Sequence, residues 1–245
     1  MNIMNVPQVT KDRKVVGKSV PVLDAREKVT GSLKFGVDFA VLGMVHGKIL
    51  RSTVPHGRVK RIDVRKAESL PGVLGIVTHE DAPDLNWIGV WDNYRGKVLD
   101  GIARFVGDEI AAVAATTVEI AEQALELIEV EYEPLPAVLD VEKALLDDAP
   151  QVREEGNVRD EYVVLWGDLE QGVTEADHIV DIEMRYKSQN YAGIGRNACV
   201  CEWDGDRVTM WTSSQTPSEL QSGIHEAFGM PMSNVRVIAL PSGCS

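Results

Sequence analysis

The chain has 245 residues, enough for one large domain or two ordinary ones, with a sizeable core in either case. Acids outnumber bases 38 to 25, a formal net charge of −13 that repels nucleic acid and anionic lipid, so neither is an expected partner. No apolar run approaches the ~20 residues of a bilayer span, and the N-terminus lacks a secretory apolar segment. Three cysteines make no disulfide framework, and a soluble, cytoplasmic protein is the expectation.

Residues 1–16 read as an N-terminal arm. In 32–39, Leu33, Phe35, Val37 and Phe39 alternate, which predicts a strand; Leu42-Gly43 is a turn and 44–52 its hairpin partner. A third strand is expected over 58–64, and a short helix over 65–70 stopped by Pro71-Gly72. Residues 73–78 read as a fourth strand, and 79–101 as a loop carrying Trp87, Trp91 and Tyr94.

The stretch 104–138 holds the clearest local signals. Residues 110–115 (IAAVAA) form the continuous apolar run of a strand buried on both faces. Thr116 and Glu119 have capping-box spacing, and Ala121, Ala124, Leu125 and Ile128 then share one helix face. From Ile128 the period drops to two: Ile128, Val130 and Tyr132 alternate with Glu129, Glu131 and Glu133 until Pro134 and Pro136.

Acids, Pro and Gly over 140–160 mark a linker, and Gly167-Asp168-Leu169 opens a second unit. Alternation of Val180, Ile182, Met184 and Tyr186 predicts a strand over 178–186. Residues 198–203 and 207–212 flank Asp204-Gly205-Asp206, a hairpin signal. Pro217-Ser218 starts a helix with Leu220, Gly223, Ile224 and Ala227 on one face, closed by Gly229, and 235–239 is a further strand. The sequence then reads Pro241-Ser242-Gly243-Cys244-Ser245.

Few residues suggest chemistry. His46, His56, His79, His178 and His225 are scattered without metal-ligand spacing, and structural or surface roles are expected for them. Lys60-Arg61 and Arg65-Lys66 read as a solvated face. Cys199 and Cys201, one residue apart on an expected strand, are expected to point to opposite faces, which argues against shared ligation and for buried small thiols. There is no Walker loop or G-x-S-x-G elbow, and Gly193-Ile194-Gly195 lacks the third glycine of a dinucleotide fingerprint. A strand leading into Ser242-Gly243-Cys244-Ser245 has the makings of a backbone anion nest, although an ordinary loop is the commoner outcome.

Several segments, taken in order, carry a resemblance. They are VGKSVPVLDAREKVTGSLKFGVDF, GMVHGKILRSTVPHGRVKRIDVRKAESLPGVLGIVTHED, RFVGDEIAAVAATTVEIAEQALELIEVEYEPLPAV, GDLEQG, ACVCEWDGDRVTMWTSSQTP and VRVIALPSG. Together they resemble the N-terminal part of the molybdenum-binding large subunit of the xanthine dehydrogenase/aldehyde oxidase family. The resemblance implies an α+β chain: an α/β-hammerhead domain over 17–140, a linker over 141–160, and over 161–245 the first β-rich part of a molybdopterin-binding domain. It implies a molybdenum–pterin cofactor completed by a further C-terminal region, with Fe–S clusters and FAD on partner domains or subunits. Partners would be the rest of the molybdenum-binding region, an Fe–S subunit and an FAD subunit, or a second copy of the chain. Its chemistry would be hydroxylation of an aromatic heterocycle or aldehyde with oxygen from water.

Carried over residue by residue, the resemblance places Gln215, Ser242, Gly243 and Cys244 near the cofactor, and no catalytic residue or metal ligand in this chain. Gln215 matches the glutamine of the family's T-Q-x-P segment, with Ser214 in place of its threonine, and Gly243 matches the glycine-rich loop. Tyr191 stands where the family often has histidine, Gly195 where it has glutamate, and Ser218 and Gln221 replace a usual His and Arg. Those replacements leave a non-catalytic scaffold of the same fold as the alternative. Trp87, Trp91 and Tyr94 prompt a weaker idea, a stand-alone binder of a small carboxylic or thioester ligand. A portion of a larger assembly should also expose apolar surface, with 235–241 and the preceding hairpin as the expected place.

Overall fold

The computed structural model describes residues 14–82, 85–89, 93–158, 160–187, 189–190, 192–193 and 195–242, with backbone only for 87–89 and 93–95. In chain order its elements begin with α1 (Ala25–Thr30), β1 (His46–Arg51), β2 (Gly57–Asp63), α2 (Arg65–Glu68) and β3 (Val73–Thr78). Next come β4 (Asn86–Gly89), β5 (Asn93–Lys97), β6 (Ile102–Ala103), β7 (Glu109–Ala115), α3 (Val118–Leu127) and β8 (Glu129–Pro134). The rest are α4 (Val141–Ala144), α5 (Leu169–Glu175), β9 (Cys199–Asp204), β10 (Arg207–Thr212), α6 (Pro217–Phe228) and β11 (Val235–Ala239). The chain divides into two compact units, one from the described residues of Met1–Ala40, Gly193–Ser218 and Ser233–Ser245, the other from Val41–Ala192 and Glu219–Met232.

In the second of these, β7 is the middle strand of an antiparallel sheet in the order β1-β7-β3. It is buried on both faces, as its unbroken apolar run requires. Val113 and Ala115 pack with Ala67, Ala121, Ala124 and Ile128, whereas Ile110 packs on the other side with Val59 and Ala103. The alanines of β7 and α3 bring helix and sheet close together. A side chain at Gly72, whose φ is +96°, would put Cβ 2.7 Å from Ile120 Cδ1 and 2.8 Å from Thr116 Oγ1, so the turn after α2 admits only glycine.

The helix begins one residue later than the capping-box spacing suggests. Thr116 N–H donates to Gly72 O at 2.9 Å and so belongs to the strand end, and Thr117 Oγ1 instead accepts from Ile120 N at 3.3 Å. Thr117→Ala is expected to lower stability by about 1 kcal/mol, the usual cost of a lost N-cap, read as a shifted urea midpoint.

A second sheet, β6-β2-β8, presents its wet face to solvent. Lys60 Nζ reaches Glu131 Oε1 at 2.9 Å and Arg58 Nε reaches Glu133 Oε2 at 3.6 Å across the β2–β8 register, so the basic and acidic runs neutralise each other. Such exposed pairs contribute about 0–1 kcal/mol each.

Asp63, Asp81 and Asp140 are among the carboxyls held below the ordinary carboxylate range. Asp63 is lowered well below it, first by its hydrogen bond from the Arg65 side chain and then by the Arg65 N–H. Asp81 is lowered by the Thr78 N–H and hydroxyl, and Asp140, the N-cap of α4, by the Lys143 and Glu142 N–H groups. A carboxyl lowered in the folded state stabilises it above the unfolded value of 3.8, and that contribution disappears as pH falls through the lowered value. Urea midpoints are therefore expected to hold from neutral pH to about 5 and to fall below about 4, with a shallower fall in Asp63→Asn.

Several sequence expectations are corrected. Residues 32–39 form no strand: Gly36–Asp38 is a 3-10 turn, Phe39 stacks on Trp211 at 5.3 Å, and β1 pairs with β7 instead. The stretch 79–101 is not all loop, because β4 and β5 pair as an antiparallel hairpin. Trp91 lies outside the described residues, as do the side chains of Trp87 and Tyr94. The described residues of 178–186 form no strand, and Val180, Ile182, Met184 and Tyr186 are exposed. Large exposed apolar residues gather at Tyr162–Trp166 and along this segment rather than at 235–241, where Val235 is buried.

In the other unit, β9, β10 and β11 form a sheet in the order β11-β10-β9. β9 and β10 make the expected hairpin, with Gly205 at φ +60° in its two-residue loop. β10 and β11 run parallel, with α6 between them in sequence.

Candidate functional site

Because β10 and β11 are parallel and in register from Val208↔Val235 to Thr212↔Ala239, both strands end at one edge. Leu240 N–H donates to Thr212 O at 2.8 Å and holds the two exits side by side. Gln215, three residues beyond β10, and Ser242, three beyond β11, leave from that edge, and both are exposed. Ligands sit at such carboxyl ends because chain segments diverge there and leave backbone and side-chain groups unclaimed by the sheet. Gly243 and Cys244 lie outside the described residues.

Ser213 carries no motif signal in the sequence, yet the fold places it at this edge. It is 8% exposed, and its Oγ has no hydrogen-bond partner among the described residues. It lies against Gly36, whose added Cβ would stand 3.5 Å from Ser213 Oγ and 3.4 Å from Ala198 O. Around it the strand end is tied down: Thr212 Oγ1 donates to Ala198 O at 3.3 Å, and Thr216 N–H donates to Ser214 Oγ at 3.1 Å. A buried, unclaimed hydroxyl beside Gln215 costs free energy unless a ligand or water satisfies it. The set of hydroxyl, amide and hydroxyl fits a polar, hydrogen-bonding group such as a pterin. No signal in the run Ser213-Ser214-Gln215 tells which of its serines is buried.

The remaining candidates disperse. Gln221 donates to Met232 O at 3.3 Å, which ties α6 to the turn that follows it. Tyr191 lies outside the described residues. His56 bonds Pro136 O at 2.6 Å through Nδ1, and the His225 ring bonds Met230 O, so both serve the backbone. Among the described residues no three His, Cys, Asp or Glu side chains gather to hold a metal ion. A cavity of about 470 Å³ opens at the other end of the sheet, lined by Trp203, Asp204, Arg207, Ser233, Asn234 and Arg236 among others. Asn234 Nδ2 donates there to Asp206 Oδ2 at 2.9 Å.

The expectation that Cys199 and Cys201 point to opposite faces is wrong. Side chains alternate along a strand, so residues i and i+2 return to the same face. The two thiols share one face of β9 and are exposed, not buried.

Residues 30–136 match the family model of the aldehyde oxidase and xanthine dehydrogenase a/b hammerhead domain, and residues 152–245 that of the molybdopterin cofactor-binding domain. A probable xanthine dehydrogenase component of Bacillus subtilis is 37% identical over 91% of this chain, and this chain spans 30% of it. The nicotinate dehydrogenase large molybdopterin subunit of Eubacterium barkeri is 30% identical over 95% of this chain, which spans 55% of that relative. Among solved structures, the aldehyde oxidoreductase of Desulfovibrio gigas superposes with a TM-score of 0.81 at 26% identity, covering 92% of this chain and 26% of that one. The chain therefore spans only part of the proteins it matches, and no helix among its described residues is long and apolar enough to cross a membrane. With both models matched in order and the α+β architecture that they imply, the chain belongs to the xanthine dehydrogenase/aldehyde oxidase family, as the N-terminal, hammerhead-bearing part of the molybdenum-binding large subunit.

Proposed function

We propose that this chain is the hammerhead-bearing portion, or a separately encoded part, of a cytoplasmic molybdenum hydroxylase or dehydrogenase, inactive by itself. Its substrate class is an aromatic heterocycle or an aldehyde, and its partners are the rest of the molybdenum-binding region, an Fe–S subunit and an FAD subunit. The observation that carries this reading is the shared edge of β10 and β11, where Gln215, Ser242 and the buried Ser213 hydroxyl stand within the segment matching a molybdopterin-binding domain. When bound, a molybdenum–pterin group supplies two-electron oxidation with oxygen drawn from water.

This chain's own residues bind and orient. The Gln215 amide and the serine hydroxyls each combine donor and acceptor atoms, the chemistry a polar ring system needs from its site. A hydrogen bond made by Ser213 is shielded from water and is therefore stronger than one at the surface. Gly243 and Cys244 extend the same segment in sequence and join the proposed cofactor contacts. We divide the chain into a hammerhead over 17–140, a linker over 141–160 and a cofactor-binding part from 161, a reading supported by the order of the two family matches.

A second reading, a scaffold without cofactor, is favoured by one observation: Gln221, which replaces a family arginine, spends an amide N–H on the Met232 carbonyl. Co-expression with the rest of the large subunit, followed by elemental analysis of the purified assembly, decides between them. About one molybdenum per assembly is expected. A stable assembly free of molybdenum would establish the scaffold, and a 26.9 kDa chain that joins nothing would sink both readings.

A further inference from the structure

β9 is an edge strand, and it presents Cys199 and Cys201, two residues apart, on one face. Both are free and exposed. In the antiparallel register Met210 stands directly opposite Cys201, and Thr212 opposite Cys199. Directly opposed residues share a sheet face, with Cβ atoms about 4.5–5.5 Å apart, so a thioether joins the two thiols on that face. The other face of the same strands is already covered: Trp211, opposite Val200, stacks on Phe39, and Gly36 lies against Ala198.

We infer that Cys199, Cys201 and Met210 form a site for a soft monovalent cation, copper(I), held by two thiolates and one thioether. Soft sulfur ligands select this ion over hard cations, which want oxygen. Zinc is the main rival for thiolates, but it requires four ligands in a tetrahedron, and this face supplies three sulfurs. The scaffold is prepared in advance, since β10 is the central strand and holds β9 in a complete six-pair register.

Protonation favours the same outcome. The proximity of the two side chains lowers the Cys199 thiol and raises that of Cys201, because the pair favours keeping one proton between two sulfurs. Binding as two thiolates releases the thiol protons to solvent, no electron moves, and affinity should rise with pH. This inference stands apart from the cofactor edge, which uses Ser213, Gln215 and Ser242.

The test is anaerobic titration of the 245-residue chain with copper(I) against a coloured chelator, bathocuproine disulfonate. One ion per chain is expected, bound more tightly as pH rises. Cys199→Ser and Cys201→Ser should each weaken binding by at least about 100-fold, and Met210→Leu, a near-isosteric change, by about 10-fold. Cys244→Ser should leave binding intact. X-ray absorption at the copper edge of the unaltered chain, which needs no variant to fold, should read three sulfur neighbours. Full binding in the double Cys→Ser variant, loss in Cys244→Ser, an unchanged affinity in Met210→Leu, or a sulfur count other than three would each overturn the inference.

Discussion

Ile110→Ala is expected to destabilise the hammerhead unit by about 2–5 kcal/mol, the range for a large aliphatic side chain cut back inside a packed core. Ile110 and Val113 are the largest fully buried side chains among the described residues. They point to opposite faces of β7, Ile110 toward Val59 and Ala103, Val113 toward the α3 alanines. Neighbouring alanines have no spare side chain with which to fill the gap, so the cavity stays open and the cost falls toward the upper end. Ile110→Val should cost only about 0.5–1.5 kcal/mol, and Leu74→Ala, at a site 57% exposed, less than about 0.5 kcal/mol. Hydrogen exchange at the β7 and β3 amides assigns the loss to this unit. Protection unchanged in Ile110→Ala would mean that the two-faced burial of β7 is wrong.

A second large effect is expected on assembly. Segment 178–186 alternates like a strand, yet its described residues pair with no strand and its apolar side chains face solvent, Val180 at 77% exposed and Tyr186 at 83%. Trp166, at 98%, is similarly bare. Each such side chain gains about 1.5–3 kcal/mol on burial, so in the proposed assembly this segment is expected to pair with the rest of the molybdenum-binding region. Ile182→Asp is therefore expected to weaken that association by about 100-fold or more, since one buried apolar contact is lost and a charge is desolvated. Glu183→Lys, on the alternate face, should change it little. Sedimentation of the co-purified pair reads the loss, and Trp166 fluorescence should shift to the blue only when the pair forms. Equal association by wild type and Ile182→Asp would exclude this surface.

Wherever the signal was local, the sequence predicted the structure well. The run 110–115 had to be a two-faced strand, because every one of its residues is apolar and small enough to pack on both sides. Ala121, Ala124 and Ile128 meet the core as their spacing requires, and the turn at Gly205 needs only its own two strands. Failures came where a distant partner decides. Leu33 to Phe39 alternates like a strand, but the Trp211 ring gives Phe39 a better place than any neighbouring strand. The β4–β5 hairpin carries no period-two pattern of its own. Thr117 displaces Thr116 as cap because Gly72, far back in the chain, claims the Thr116 N–H.

The same division runs through the candidate sites. Gln215 and Ser242 were reachable by family resemblance, one residue at a time, but their common edge exists only because β10 pairs parallel to β11. Packing beside Gly36 helps bury Ser213, which no pattern announces. Strand alternation already implied one face for Cys199 and Cys201, whereas Met210 joins them only through the β9–β10 register. The amino-acid sequence by itself determined the family, the two-faced strand, the capped helix and the acidic, ion-paired surface. These follow from short-range periodicity and charge, which each segment carries with it. Tertiary structure alone decided which strands are neighbours and which hydroxyl is left without a partner, because those depend on hydrogen bonds and packing between residues far apart in the chain.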